Sequence, residues 1–359
     1  MLTSAPESTS PFPVSSSKHR VSHISYVGGR MCQSWLNGDL LRVCGDNHIG
    51  NARWSINPPA TLCLVSNGEN EKPLSDGMLI AALDAAFAFY PEFTSLLVKA
   101  PIPSRSSLTN AGVIRPTVDG MMRADRSCLW QYPEICLIAS GPSYALQYTV
   151  TEGQRHPLRP PKPTGVLYRR YIPWLQSSLS IRTVDIGCDL DRFHRWMNDP
   201  AIAEFWNERG SIANHRAYLT KLDTTPHAVS LIVCFDDEPA GYLEAYWAKE
   251  DRIGAHYDAD NFDRGWHVLI GESRFHGRRY VSAWMPSMSH FLFLQDCRTQ
   301  KLVIEPRIDN IKMSRSLAKC GYAHIKEIAF PHKRAMLGIL WRERFFQEGL
   351  WHPRSELHD

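Results

Sequence analysis

The stretch "RGWHVLIGESRFHG", residues 264–277, decides the fold. Its first half predicts a strand buried on both faces, because apolar side chains occupy successive positions as far as Gly271. His267 is the one ionisable side chain in the middle of this run. A histidine in such a strand is either a hydrogen-bonded core residue or a reactive group, since its side chain titrates near neutral pH.

The composition is that of an ordinary globular protein. The chain has 359 residues, of which 43% are hydrophobic and 21% charged, and its formal net charge is +3. This length fits two domains, and the charge is too small to indicate nucleic acid or an anionic membrane as a partner. No segment approaches the roughly 18 consecutive apolar residues of a membrane span.

The N-terminus and the cysteines indicate where the protein works. Residues 1–20 are rich in Ser and Pro and lack the pattern of a secretion signal, so we predict a disordered tail. The nine cysteines are scattered, without a Cys-x-x-Cys pair. We therefore expect free thiols, no bound metal and a cytoplasmic location.

A proline-rich segment divides the chain. Proline fixes φ and disfavours helix in the preceding residue, so residues 152–176 are predicted to be an extended linker. Before it, residues 21–151 read as an α+β domain with a helix over 75–93 and strands that include 127–138. Residues 177–359 form the second domain.

The second domain has a clearer order of elements. A strand is followed by two helices, which Asp199 and Pro200 separate. A hairpin, the strand at 264–271, a long helix containing Pro286, a short strand, a helix ending near Gly321 and two further strands follow. Strands and helices that alternate in this way predict an α/β architecture.

Four segments carry a resemblance to a known family. They are "WMNDPAIAEFW" (196–206), "RGWHVLIGE" (264–272), "LFLQDCRTQKLVIEPRIDN" (292–310) and "FPHKRAML" (330–337). Together they resemble the siderophore N-hydroxy-amino-acid acyltransferases, which include aerobactin-type N6-hydroxylysine acetyltransferases and N5-hydroxyornithine acyltransferases. The resemblance covers roughly residues 152–346. It implies a GNAT acyltransferase fold in the second domain and a smaller, degenerate GNAT-like domain before it.

The resemblance also implies a reaction. An acyl group, with acetyl expected, would move from acyl-CoA to the hydroxylamine nitrogen of N5-hydroxyornithine or N6-hydroxylysine and form a hydroxamate for siderophore biosynthesis and iron acquisition. This nitrogen is less basic than an alkylamine and is mostly unprotonated at neutral pH. The enzyme must still position it, stabilise the oxyanion and remove a proton.

His267 and Asp309 are the expected catalytic residues. The resemblance places His267 on the central strand beside the thioester, where it would act as the general base. Asp309 would orient His267 or hold the hydroxylamine. Its type and position also suit an N-cap of the following helix, a role that Asn310 could fill instead.

The acyl-CoA site is expected between the splayed strands and at the start of the long helix, where backbone N–H groups bind phosphate. The loop "RFHGRR" departs from the GNAT pattern, because an arginine replaces a small residue, and the basic side chains either bind phosphates directly or form a solvated loop. Leu317 occupies the position where many GNAT enzymes carry a thiolate-protonating tyrosine. The predicted acyl-CoA residues are Leu269, Ile270, Arg274, Gly277, Arg278 and Arg279.

The resemblance implies an acceptor site formed by a lid in the helix-turn-helix after the first strand and by the basic loop of "FPHKRAML". The alternatives are that Trp206 is a core residue and that the charged run formed by His332, Lys333 and Arg334 is a solvated loop. The predicted acceptor residues are Trp206, Asn207, Glu208, Arg307, His332, Lys333 and Arg334.

Two other functions remain open from the sequence. One is a GNAT acetyltransferase for another small amine, and the other is a CoA-binding domain without turnover. The sequence also leaves the oligomeric state open, with a homodimer as one alternative.

Overall fold

The computed structural model describes residues 21–67, 74–103, 105–141, 143–151 and 153–353. The tail predicted at residues 1–20 lies outside these ranges. Two eight-stranded sheets and a two-stranded hairpin make up the β-structure. None of the helices in the described ranges combines the length and apolar character of a membrane-spanning segment.

The first sheet has the spatial order β1-β2-β3-β4-β5-β6-β8-β7. Its strands are β1 (Val21–Val27), β2 (Arg30–Asn37), β3 (Leu40–Cys44), β4 (Asn51–Asn57), β5 (Thr61–Ser66), β6 (Ser95–Lys99), β7 (Ile114–Pro116) and β8 (Met122–Asp125). The helices of this domain are α1 (Asp76–Phe89), α2 (Ser107–Asn110) and α3 (Arg126–Leu129). The hairpin that follows consists of β9 (Tyr148–Thr151) and β10 (Gln154–Pro157).

The second sheet has the spatial order β11-β12-β13-β14-β15-β16-β18-β17. Its strands are β11 (Val166–Ile172), β12 (Ser177–Thr183), β13 (Ala228–Phe235), β14 (Glu238–Trp247), β15 (Arg264–Ile270), β16 (Lys301–Ile304), β17 (Ala323–Phe330) and β18 (Lys333–Trp341). Its helices are α4 (Ile186–Met197), α5 (Pro200–Trp206), α6 (Ile212–Thr224), α7 (Arg278–Gln295), α8 (Ile311–Lys319) and α9 (Arg342–Gln347). Short 3₁₀ helices span Pro133–Ile135, Arg252–His256 and Ser273–Phe275.

The two sheets follow the same plan. In each, the fifth strand pairs in parallel with the sixth, whereas the other neighbours are antiparallel. In each, a long helix connects the fifth and sixth strands: α1 in the first sheet and α7 in the second. The second sheet differs by the three helices α4 to α6, which lie between its second and third strands.

The two domains share one apolar core. The rings of Trp130 and Trp351 stack with their centroids 4.9 Å apart. The backbone N–H of Arg169 on β11 donates to the carbonyl oxygen of Cys136 at 2.9 Å, so the first domain extends the edge of the second sheet. A buried apolar cluster runs continuously through both domains.

Two sequence predictions differ from the structure. The segment 152–176 contains β10 and β11, so the second sheet begins at Val166, inside the range predicted as linker. Residues 127–138 contain α3 and a 3₁₀ turn instead of a long strand, because Pro133 starts the turn and has no N–H to give to a ladder. Helix α6 was not predicted.

Candidate active site

The centre of the second sheet opens into a notch. Strands β15 and β16 pair only at Arg264–Leu302 and Gly265–Val303. Beyond these pairs β15 continues to Ile270 while β16 ends at Ile304, so the two strands separate. Past Gly265, the backbone edge of β15 that faces β16 therefore has no partner among the strands that the structure describes.

Three side chains meet at the open end of this notch. His267 on β15 lies directly opposite Glu244 on β14 in the antiparallel register, which puts both side chains on one face of the sheet. The distance from His267 Nδ1 to Glu244 Oε2 is 3.0 Å. Across the notch, Glu305 follows β16 and places Oε1 2.8 Å from His267 Nε2. We call these three residues the Glu–His–Glu unit.

Three tyrosine hydroxyls donate hydrogen bonds to the carboxylates of Glu244 and Glu305. Tyr218 on α6 and Tyr242 on β14 both donate to Oε1 of Glu244, the latter at 2.9 Å. Tyr246 donates to Oε2 of Glu305 at 2.9 Å. Tyr242, Glu244 and Tyr246 alternate along β14 and so share its face. Both carboxylates are buried and fully engaged, which fixes their orientation.

The charges of the unit stabilise one another. Burial alone would lower the pKa of His267, but the charge of Glu305 and the hydrogen bonds to both carboxylates raise it to about 10. Burial alone would raise the pKa of Glu244, but the hydrogen bond and charge of His267 lower it below its usual value. His267 also lowers the pKa of Glu305, and the charges of Lys333 and Arg252 add to this effect.

Cations lie on the outer side of Glu305. Lys333 Nζ donates to the backbone carbonyl oxygen of Glu305 at 2.9 Å and lies 3.5 Å from its Oε1. A guanidinium nitrogen of Arg252 also lies 3.5 Å from this Oε1. His332 is exposed, and desolvation and the charges of Arg252 and Lys333 lower its pKa. Arg334 points away and pairs with exposed Glu327, since successive strand residues face opposite sides.

Asp309 does not contact His267, which corrects the predicted pairing. Its carboxylate accepts from Arg307, with Nε at 3.1 Å from Oδ1, and is more than half exposed. Arg307 also donates to the backbone carbonyl oxygen of Glu204 on α5. The N-cap of α8 is Asn310, whose side chain accepts from the Met313 N–H at 3.1 Å. Asp309 is therefore linked to α5 through Arg307, and its carboxylate has no capping role.

Trp206 ends α5 above β15. Its indole N–H donates to the backbone carbonyl oxygen of Val268 at 3.2 Å, and its ring packs edge-on to that of His267 at 6.3 Å. Asn207 follows with a φ of 56° and turns the chain away. His215 then donates to the carbonyl oxygen of Glu208 at 2.7 Å, which holds this turn. The turn lies near the unit, since the charge of Glu244 adds to burial in raising the pKa of Glu208.

The start of α7 lies beside the end of β15, where His276 Nε2 donates to the Ile270 carbonyl oxygen at 2.9 Å. Gly277 is its N-cap and has a φ of 96°, a conformation that favours glycine. The Arg279 side chain donates to the carbonyl oxygen of Trp174 at 2.9 Å, and the Trp174 indole donates back to the Arg279 carbonyl at 3.1 Å. Arg274 pairs with exposed Glu238. Arg278 is the first residue of the helix.

The remaining predicted acyl-CoA residues lie at the end of β15. Leu269 is buried against the helices α4 and α6, and Ile270 is half-buried beside the large core. Leu317 on α8 is also buried in that core. The leucine at this position therefore packs as a core residue and has no proton to give.

Sequence reasoning missed Glu244 and Glu305. A signal for each exists: Glu244 is an acid in the otherwise apolar, buried strand β14, and Glu305 follows the buried strand β16 directly. Buried acids are rare unless they are paired. Neither pattern predicts that His267 is the partner of the glutamate, because this contact depends on the register of three strands.

Comparisons with known proteins show which family this chain resembles. The acetyltransferase (GNAT) domain profile matches residues 185–330. The N(6)-hydroxylysine O-acetyltransferase of Escherichia coli is 40% identical over 281 residues, which are 77% of this chain and 87% of that protein. A Beauveria bassiana relative named N(5)-hydroxyornithine:cis-anhydromevalonyl coenzyme A-N(5)-transacylase is 41% identical over 57% of this chain and 49% of its own length.

A solved structure supports the fold. An uncharacterized protein from Bacillus halodurans superposes with a TM-score of 0.50 at 26% identity, over 53% of this chain and 96% of that one. The predicted GNAT fold of the second domain is confirmed, and the chain is an acyltransferase. On its extensive identity to the E. coli enzyme, the chain belongs to the N-hydroxy-amino-acid acyltransferases of the GNAT superfamily.

Proposed function

We propose that this enzyme transfers an acyl group, acetyl first among the candidates, from acyl-CoA to the nitrogen of N5-hydroxyornithine or N6-hydroxylysine. The product is a hydroxamate, the iron-binding group of many siderophores. The observation that carries the proposal is the Glu–His–Glu unit at the open end of the notch between β15 and β16. We expect the reaction in the cytoplasm, where acyl-CoA is made and used.

The acyl-CoA would enter along the notch. The unpaired part of β15, including Leu269 and Ile270, would lie along the pantetheine. The first turn of α7, with Gly277 and Arg278, would bind the pyrophosphate through backbone N–H groups. The mutual hydrogen bonds of Arg279 and Trp174 support the fixed position of this turn.

The acceptor would enter from the side of α5. Its hydroxylamine would lie between Trp206 and the Glu–His–Glu unit, with Asn207 and Glu208 above it. The α-carboxylate would bind near Lys333, Arg252 and His332, whose mutual proximity favours an anion. Asp309 and Arg307 flank this entrance and would contact the amino-acid end of the acceptor.

The nitrogen is the proposed acceptor atom, although the E. coli relative is named an O-acetyltransferase. The nitrogen of a neutral hydroxylamine is more nucleophilic than its undissociated hydroxyl. The fungal relative is named as an N(5)-transacylase. The two products differ chemically, since only the N-acyl product forms a coloured ferric hydroxamate.

The decisive experiment measures thiol release from acetyl-CoA with four acceptors: N5-hydroxyornithine, N6-hydroxylysine and their non-hydroxylated parents. We expect release with one or both hydroxylated acceptors only, together with a ferric-hydroxamate colour. Release with the parents alone would instead support a GNAT enzyme for another amine. Binding of CoA without release from any acceptor would support a non-catalytic CoA-binding protein.

A further inference from the structure

The ring of His267 has a carboxylate oxygen at each nitrogen. Glu244 Oε2 lies 3.0 Å from Nδ1 and Glu305 Oε1 lies 2.8 Å from Nε2. A neutral imidazole carries one N–H, so it satisfies one of these contacts and turns a lone pair toward the other. Two good hydrogen bonds require either a doubly protonated ring or a protonated carboxyl group.

The surroundings decide between these states. Glu244 accepts from the hydroxyls of Tyr218 and Tyr242, and Glu305 accepts from Tyr246 while Lys333 and Arg252 lie 3.5 Å away. Donors and cations of this kind favour the ionised form of a carboxyl group. Both glutamates are therefore carboxylates, and the proton lies on the ring.

We propose that Glu244 and Glu305 keep His267 doubly protonated in the resting enzyme, so that one of these two carboxylates, and not a neutral imidazole, accepts the substrate proton. This proposal rests on the proposed function for the identity of the substrate, but the charge state it assigns does not. It differs from the expectation that His267 is itself the general base.

The proton balance closes within the unit. As the acceptor nitrogen attacks the thioester carbonyl, an N–C bond forms and the N–H bond then breaks, leaving its electron pair on nitrogen. The proton passes to a carboxylate oxygen, and the charge of the unit changes from −1 to 0. The C–S bond breaks, the CoA thiolate leaves, and the same proton neutralises it. A weak base suffices, because the nitrogen of the tetrahedral adduct is far more acidic than the free hydroxylamine.

The groups that face the unit come from every element packed against it. In the described part of the chain the charged and titratable ones are Tyr218 on α6, Tyr242 and Tyr246 on β14, Asp251 and Arg252 after it, Glu208 beyond α5, His332 before β18, and Lys333 on β18. The charge of Glu305, after burial, raises the pKa of Asp251. The pKa of His267 is nevertheless raised to about 10.

Nitrogen-15 NMR of the full chain, labelled in its histidine rings, tests the charge state directly. The His267 signals are those that disappear in His267→Gln. We expect both ring nitrogens to remain protonated from pH 6 to pH 8.5. His290 serves as an internal reference, because its partners are a carbonyl and a tyrosine hydroxyl and its ring should stay neutral in the same range. A His267 midpoint near 6.5, or one unprotonated nitrogen at pH 7.5, would overturn the proposal.

The variants Glu305→Gln and Glu244→Gln test the cause. Each removes one opposite charge, so the His267 midpoint should fall by about 1–3 pH units. Glu327→Gln is the matched control, since this glutamate has an exposed pairing with Arg334. An unchanged midpoint in both unit variants would contradict the proposal, and the wild-type spectrum decides alone if a variant fails to fold. The spectra need no substrate, so an incorrect acceptor assignment would leave their outcome unaffected.

Discussion

The ring of His290 joins the two domains through the backbone of Trp130. Its Nε2–H donates to the Trp130 carbonyl oxygen at 2.7 Å, and its Nδ1 accepts from the hydroxyl of Tyr168 at 2.9 Å. These partners fit the neutral Nε2–H tautomer, and burial lowers the pKa of His290 to about 3. His267 has a carboxylate, and not a carbonyl or a hydroxyl, at each ring nitrogen, and its ring is positively charged where that of His290 is neutral. Partners therefore decide the charge of a buried histidine in this fold.

His290 makes the domain interface sensitive to acid. Its pKa is about 3 when folded and near 6.5 when unfolded, so below pH 6.5 the unfolded chain binds the proton first. The stabilisation is complete above pH 6.5 and is lost progressively down to pH 3, by at most about 1.4 kcal/mol per pH unit. Urea unfolding at pH 7.5 and pH 5 should show a larger loss for the wild type than for His290→Gln. Equal losses would mean that the ring takes up its proton at the same pH in the folded and unfolded protein.

His267 has the opposite effect on the alkaline side. Its folded pKa is raised to about 10, above the unfolded value near 6.5, so its stabilisation is fully present below pH 6.5. It is lost as the pH rises toward 10. The thermal unfolding temperature of the wild type should therefore fall between pH 7 and pH 10 by more than that of His267→Gln. A parallel decline in both proteins would argue that the ring is neutral in the folded state.

Removal of His267 should abolish most of the activity. His267→Ala leaves Glu244 and Glu305 facing each other without the charge between them, and breaking a buried ion pair costs about 3–5 kcal/mol of stability. The acyl-transfer rate should fall about 10²–10⁴-fold. Rates measured at a temperature where circular dichroism shows the variant folded separate the two effects. Full activity in the folded variant would exclude the unit from the reaction.

Trp206→Phe tests the acceptor side with little loss of ring area. It removes the hydrogen bond to the Val268 carbonyl, which is worth about 0.5–1.5 kcal/mol. We expect the KM for the hydroxylated acceptor to rise about two- to tenfold, while the affinity for CoA is kept. Trp174→Phe is the control, since its indole donates to the start of α7 and not to β15. A change in CoA affinity alone in Trp206→Phe would place this residue on the donor side.

Gly277→Ala tests the phosphate site. Its φ of 96° disfavours an L-residue by about 1–2 kcal/mol, and although a Cβ would meet no atom within 4 Å, the first turn of α7 should shift. We expect a weaker Kd for CoA by isothermal titration calorimetry. Gly120 has a φ of 78° and equal space in the first domain, so Gly120→Ala should show the strain without the loss of CoA affinity. Equal Kd values for CoA in both variants would mean that the phosphates do not bind at the start of α7.

Local patterns predicted most of the second domain. The apolar run that ends at Gly271 placed β15, Asp199 with Pro200 separated α4 from α5, and the long apolar segment containing Pro286 placed α7. Gly271 is required there, because a Cβ would lie 2.2 Å from the ring of Trp196. The linker prediction failed at its C-terminal end, because residues 166–172 pair with β12 on one side and with residues 136–138 on the other, and so form β11.

The site itself was only partly predictable. His267 stands out as a polar residue in an apolar strand, but its partners come from β14 and from the end of β16, far away along the chain. Asp309 looked like the partner because it follows the same strand as Glu305. Asp309 lies four positions after Glu305, and its side chain does not follow the same direction. Its carboxylate forms an ion pair with the nearby Arg307 instead.

The repeated sheet plan has a consequence for how much ligand the protein takes up. Helix α1 is the counterpart of α7, and its first residue, Asp76, accepts from the Ser107 N–H at 2.7 Å and from the hydroxyl of Ser106 at 2.6 Å. The side chain of Ser75 accepts from the Met78 N–H at this helix start, and the charge of the adjacent Asp76 repels another anion. Two copies of one architecture should thus titrate with one equivalent of acyl-CoA per chain.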